Sequence, residues 1–121
     1  VRSNISYRPY ANVDYEKIYK KVVEMDPSIE EFIDEVREIE LPEDEEIQQL
    51  EAGLRKKDKK ATERLIELYT RYAVRLGLQR AEEHEMNIID AISEAHIGLV
   101  VAANNYNIDN ALSGWPKRKL L

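Results

Sequence analysis

Apolar side chains recur at every third or fourth position along nearly the whole chain, and only four glycines and four prolines interrupt them. That spacing gathers apolar residues on one face of a helix, whereas a half-buried strand needs strict alternation. No alternating run of useful length is present. A helix with one apolar stripe is stable only where another element covers it. The sequence therefore predicts an all-α fold, a compact bundle of about five helices.

The stripes and their punctuation divide the chain. Residues 1–12, with Pro9 and Asn12, are expected to be irregular. Tyr15, Ile18, Val22 and Met25 form a first stripe, after which Asp26-Pro27 intervenes. Ser28 and Glu31 have the capping-box spacing, so a second helix carrying Ile29, Phe32, Ile33 and Val36 is expected to begin near Ser28. Pro42 suits a first helical turn, and Glu43, Asp44, Glu45 and Glu46 complement the positive end of a third helix bearing Ile47, Leu50 and Leu54. Asp58 is placed to cap a fourth, whose stripe runs Ala61, Leu65, Leu68, Tyr69, Tyr72, Ala73 and Leu76 and is expected to close near Gly77. "QRAEEHEMN" reads as a polar connection to a fifth helix starting about Asn87. The fourth and fifth helices are expected to pack antiparallel through Leu65, Leu68, Tyr72, Ile92, Leu99 and Ala103. The helical domain thus spans 13–110. Residues 111–121, rich in turn formers, are expected to be a disordered tail or the cut edge of a longer chain, and an opening on Val1 rather than Met fits such a piece.

Charge and composition exclude several functions. Acidic residues outnumber Lys plus Arg by 24 to 18, and a net charge of −6 opposes attraction of nucleic acid across the whole surface. Cysteine is absent, so disulfides, thiolate zinc sites and thiol redox chemistry are excluded. No apolar run approaches the roughly 18 residues of a membrane span, and "VRSNISYRPY" lacks the apolar core of a signal peptide, so a cytoplasmic protein with no membrane contact is expected. His84, in "EEHE", has no second histidine at helical spacing, and no nucleophile motif occurs. The expectation is a non-enzyme with no metal and no cofactor.

The fifth helix, "NIIDAISEAHIGLVVAANNY", has more apolar surface than one core face uses. At about 100° per residue, Ile88, Ile89, Ile92, Ala95, Leu99, Ala103 and Tyr106 fall in one arc. Asp90, Glu94, Ile97 and Val101 gather opposite, with Ser93 and Val100 on the shoulder and His96 nearer the core edge. A helix apolar nearly all round is either buried or docks a partner. Ionised carboxylates are rarely buried unpaired, so Asp90 and Glu94 favour a partner, and a basic one.

"LPEDEEIQQLEAGLRKKDKKATERLIELYTRYAVRLG", followed by "NIIDAISEAHIGLVVAANNY", resembles the N-terminal half of the core-binding domain in primary-type bacterial RNA polymerase sigma factors. The acids at 43–46, Asp58, Ala61, Leu65-Ile66, Asp90, Glu94, Gly98, Leu99, Ala102 and Tyr106 match family landmarks in linear order, and "DPSIEEFIDEVREI" resembles the segment that precedes them. The match covers roughly residues 26 to 110. The resemblance implies that the fifth helix binds core RNA polymerase at the clamp, a basic two-helix coiled coil of the largest subunit. The implied contacts are Ile89, Asp90, Ser93, Glu94, His96 and Val100, with Ile97 on the same side. Asp90 and Glu94 would pair with clamp arginines while Ile89 and Val100 pack between them. Ser93 and His96 stand where the family has glutamine and asparagine.

The chain departs from the family after Tyr106, where the aromatic residues that melt promoter DNA are missing and Gly114-Trp115-Pro116 follows instead. Trp115 remains a candidate for base stacking, and Lys117, Arg118 and Lys119 for phosphate contacts. In "RKKDKK", Arg55, Lys56, Lys57 and Lys60 are further nucleic-acid candidates, set against a solvated helix junction whose cations favour a helix C-terminus. By the resemblance, promoter DNA is met only within the holoenzyme. Three functions follow as expectations: a sigma-like protein engaging polymerase for transcription initiation, a sigma-like modulator that occupies the clamp without melting DNA, or a helical scaffold that self-associates.

Overall fold

The computed structural model describes residues 13–106, and every regular element among them is helical. Six α-helices follow in order: α1 Tyr15–Met25, α2 Glu30–Arg37, α3 Asp44–Arg55, α4 Lys59–Leu68, α5 Thr70–His84 and α6 Ile88–Asn104, with a 3₁₀ turn Pro27–Ile29 leading into α2. Side-chain caps start several of them. Asp14 accepts from Lys17 N–H at 3.1 Å, Asp58 from Lys60 N–H at 3.3 Å, and Asn87 from Ile89 and Asp90 N–H at 2.9 and 3.2 Å. Each satisfies amides that the first helical turn leaves without a carbonyl.

Four expectations are corrected. The cap before α2 is Asp26, whose carboxylate accepts from Ser28 N–H at 3.0 Å and Ser28 Oγ at 2.7 Å, so Ser28 lies inside the 3₁₀ turn rather than capping a helix. Those two bonds hold the Asp26 carboxyl below its ordinary range. Pro42 precedes α3 instead of occupying its first turn. The expected fourth helix is two, because the chain turns at Tyr69: its φ/ψ of −99°/5° is neither helical nor extended, and Tyr69 N–H is shared between the Leu65 and Ile66 carbonyls. Nor does α5 close near Gly77, since Gln79–His84 continue it in place of the expected polar connection. It ends instead at Glu85, which takes the left-handed conformation at φ 54°, with Met86 N–H returning to the Ala81 carbonyl at 3.2 Å.

Gly77 has a different use. A Cβ placed there would stand 2.5 Å from Ile92 Cγ1 and 2.8 Å from Ile92 Cα, so the absence of a side chain is what lets α6 lie directly on α5. The short Glu85–Asn87 connection makes these two helices an antiparallel hairpin, and the hairpin carries two clusters of buried side chains. Tyr19 and Val22 of α1, Ile33 and Val36 of α2, Val74 and Leu78 of α5, and Ile88 and Ile92 of α6 form one. Ile47, Leu50 and Leu54 of α3, Leu65 and Leu68 of α4, and Leu99 and Ala103 of α6 form the other. The expected packing set therefore divides: Leu65, Leu68, Leu99 and Ala103 share a cluster, Tyr72 packs on its edge, and Ile92 belongs to the first.

Two arginines fasten the segment between α2 and α3 to the rest. Arg64 donates to both carboxylate oxygens of Glu46, at 2.7 and 3.2 Å, to the Glu40 carbonyl at 2.9 Å, and to Glu67. Arg71 donates to the Ile39 and Arg37 carbonyls at 2.9 and 3.3 Å. The guanidinium geometry suits such forked contacts.

Candidate protein-docking surface

The asparagine cap fixes the start of α6 and hence the phase of its faces. Inward point Ile88, Ala91, Ile92, Ala95, Leu99 and Ala103, all buried. Ile89, placed in the core arc from the sequence, is 37% exposed, because Ala91 fills the inward position and the arc is rotated by a fraction of a turn. Its second expected role, on the contact side, agrees with this exposure. Outward lie Asp90, Ser93, Glu94, Ile97 and Val101, with His96 and Val100 half-buried on the flank. Of the five large apolar side chains exposed among the described residues, Ile89, Ile97 (62%) and Val101 (55%) belong to this one helix. Scattered apolar residues such as Met25 and Leu41 are ordinary on a protein surface, whereas three on one face of one helix form a patch.

A neighbour deepens the patch into a groove. Ser28, Ile29 and Phe32, from the 3₁₀ turn and α2, form one wall of a cavity of about 460 Å³, and Ile89, Ile92, Ser93, His96 and Ile97 form the other. Four of the seven residues implied as polymerase contacts thus line one groove; Asp90 and Glu94 stand on the outward ridge beside it. Val100 lies one turn further on. Neither acid has an ion-pair partner among the described residues. Sequence reasoning missed Ser28, Ile29 and Phe32 as groove residues. They lie some sixty residues away in the chain, and Phe32 reads as one more member of the α2 core stripe.

The second set of candidates lies at the α3–α4 turn. Arg55, Lys56, Lys57 and Lys60 are exposed there, and Lys57 adopts φ 60°, with Asp58 N–H returning to the Gly53 carbonyl at 2.9 Å. Lys57 Nζ donates to the Tyr106 carbonyl at 3.1 Å, so it ties the end of α6 to this turn. A smaller hollow of about 320 Å³ opens beside it, lined by Lys57, Lys59, Thr62 and Asn104 among others. Burial, with the Glu51 carboxylate nearby, pushes the Tyr106 hydroxyl above its usual range. Trp115, Lys117, Arg118 and Lys119 lie outside the described residues. Among the described residues no group of three or more His, Asp or Glu is placed to hold a metal ion, and no helix is long and apolar enough to cross a membrane.

No protein-family model, curated protein or solved structure matches this chain.

Proposed function

We propose that the chain is a sigma-factor-like, non-enzymatic protein that binds core RNA polymerase during transcription initiation, presenting α6 to the basic coiled coil of the largest subunit. One observation carries the reading: two carboxylates without ion-pair partners flank an apolar groove on the side of α6 that the linear order of landmarks assigns to the clamp. A basic helical partner satisfies both halves of that surface. Its aliphatic stems cover Ile89 and Ile97 while its cationic heads meet Asp90 and Glu94. Promoter DNA is reached only through the polymerase, because a net charge of −6 disfavours direct duplex binding.

Surface plasmon resonance with immobilised core polymerase tests the proposal. The parent chain is expected to bind. Asp90→Ala with Glu94→Ala is expected to weaken binding by a few kcal/mol, mainly through faster dissociation, with the thermal melt unchanged. Reversing both acids to Lys is expected to abolish binding. Parent-like affinity in the double alanine variant would refute the clamp-facing assignment.

A further inference from the structure

The groove between α2 and α6 differs in chemistry from the acids beside it. No carboxylate, lysine or arginine lines it, and five of its eight lining residues are isoleucine or phenylalanine. Ile29 and Ile92 are buried and belong to the cluster beneath, so its floor is core surface reached from outside. Phe32, half-buried, stands on one wall and the exposed Ile97 on the other. A cavity of about 460 Å³ lies in the range of pockets that enclose small ligands, roughly 300–1,000 Å³, so it suits one large side chain rather than a helix about 10–12 Å across. A cationic head placed there would lose water and gain no anion.

Ile97 is the divide between the two surfaces. At about 100° per residue, Asp90 projects within roughly 20° of Ile97 and Glu94 within roughly 60°, both on its outward side, while Ile89, Ser93 and His96 project to the groove side. A helix lying along α6 over Ile97 therefore meets acids on one flank and the apolar groove on the other. Its facing residues must be of two kinds, cations toward Asp90 and Glu94 and a large apolar side chain toward Phe32. We propose that the groove is the anchor pocket of the polymerase interface: one large apolar side chain of the basic helix that meets Asp90 and Glu94 inserts between Phe32 and Ile97, and Phe32 is a specificity-determining residue supplied by α2. This rests on the polymerase-binding reading and adds a contact from a second helix, outside the set that the resemblance implies. An anchor in a desolvated pocket carries much of an interface's affinity and is little screened by salt, unlike an exposed ion pair.

Two variants of the full chain, measured against immobilised core polymerase at low and high salt, test the anchor. Phe32→Ala strips one wall and is expected to weaken binding about tenfold or more. Ser28→Trp, at an exposed lining position, fills the groove while keeping the residue-28 N–H bond to Asp26, and is expected to weaken binding to a similar degree. Both losses should be the same factor at either salt, whereas the loss from Asp90→Ala with Glu94→Ala shrinks as salt rises. Circular dichroism melts report whether Phe32→Ala loosens α2; Ser28→Trp leaves the core side chains in place. If both groove variants bind like the parent while the double acid variant is weakened, the anchor is overturned and the polymerase reading stands. If the acid variant also binds like the parent, that reading fails first and takes the anchor with it. Weakening by Phe32→Ala alone would mean that Phe32 acts through the fold, and would overturn the anchor. So would a Ser28→Trp chain whose own mass changes in sedimentation equilibrium while its polymerase affinity does not, since the groove would then belong to a second copy.

Discussion

At the level of single residues, Tyr19 carries an unmet polar group into the core. Its ring is buried against Tyr15 at 5.9 Å between centroids, the Arg37 guanidinium lies 5.4 Å from the ring centre, and its hydroxyl has no hydrogen-bond partner among the described residues. Burial pushes that hydroxyl up from 10.0 to about 12. Above pH 10 the unfolded chain releases this proton while the folded chain keeps it. Tyr19 therefore favours folding fully below pH 10 and loses that contribution between pH 10 and about 12. Tyr19→Phe removes a desolvated hydroxyl that gains nothing in return, so stability at neutral pH is expected to stay within about 1 kcal/mol of the parent or rise. Urea unfolding at pH 7 and pH 11 checks this, with a shallower alkaline loss expected in the variant. Arg64 presents the opposite case, a charge with every fork in use. Its bonds hold the Glu46 carboxyl below the ordinary range. That contribution is present above the unfolded carboxyl value of 4.5 and fades as pH falls below it. Arg64→Ala is expected to cost about 1–2 kcal/mol after solvent screening, read from the urea midpoint at pH 7, and less at pH 3. Only Glu67 stands at i,i+3 spacing from Arg64 along the helix; Glu46 and Glu40 come to Arg64 through the fold.

Among the elements, what could be read was the phase of each stripe, and what escaped was any change of direction that leaves phase intact. The stripe from Ala61 to Leu76 runs on through Tyr69, yet the chain bends there without glycine or proline, and the Thr70 hydroxyl bonds back to the Ile66 carbonyl at 3.0 Å. The bend lets α4 pack on α3 while α5 packs on α6. Gln79–His84 read as polar because only Leu78 and Ala81 face the core near that end, one apolar residue per turn being enough beside so close a neighbour. The outward face of α6 was legible because its helical phase places Asp90 and Glu94 together. Its groove was not, since one of its walls comes from the 3₁₀ turn and α2. Gly77 was misread because a glycine at the end of a visible stripe looks like a stop signal, whereas here the constraint is tertiary. Gly77→Ala is expected to destabilise by about 1–3 kcal/mol, since the backbone of Ile92 cannot yield as a flexible side chain would. Gly98→Ala, with open space around it, is expected to stabilise by up to about 1 kcal/mol through helix propensity. Thermal melts of the two alanine variants check the pair, and a shift in the same direction for both would contradict the close crossing.

For the molecule as a unit, the question is whether two clusters make one cooperative fold. Each gathers helices on part of the α5–α6 hairpin, so neither has a scaffold independent of the other. The clusters also share their supports. Ala73 faces one and its neighbour Val74 the other, Ile39 packs on both, and α6 spans both with Ile92 and Leu99. Opening one cluster therefore frees the hairpin that holds the other. Leu68, 1% exposed, lies in the cluster of α3 and α4, and its truncation to Ala is expected to cost about 2–5 kcal/mol. If the fold is cooperative, that cost is felt at the far end. Native-state hydrogen exchange should then show slow amides of α1 and α2, such as those of Val22 and Ile33, losing as much protection as those of α3 and α4, and heat unfolding should remain a single transition by every probe. Were α1 and α2 to keep their protection while α3 and α4 opened, the hairpin would be stable with one cluster alone. The exposed acids of α6 provide the contrast, because replacing Asp90 and Glu94 by Ala touches neither cluster and should leave that exchange pattern unchanged to within about 0.5 kcal/mol. A surface whose charges can be removed without cost to folding is one whose sequence is free to be set by a partner.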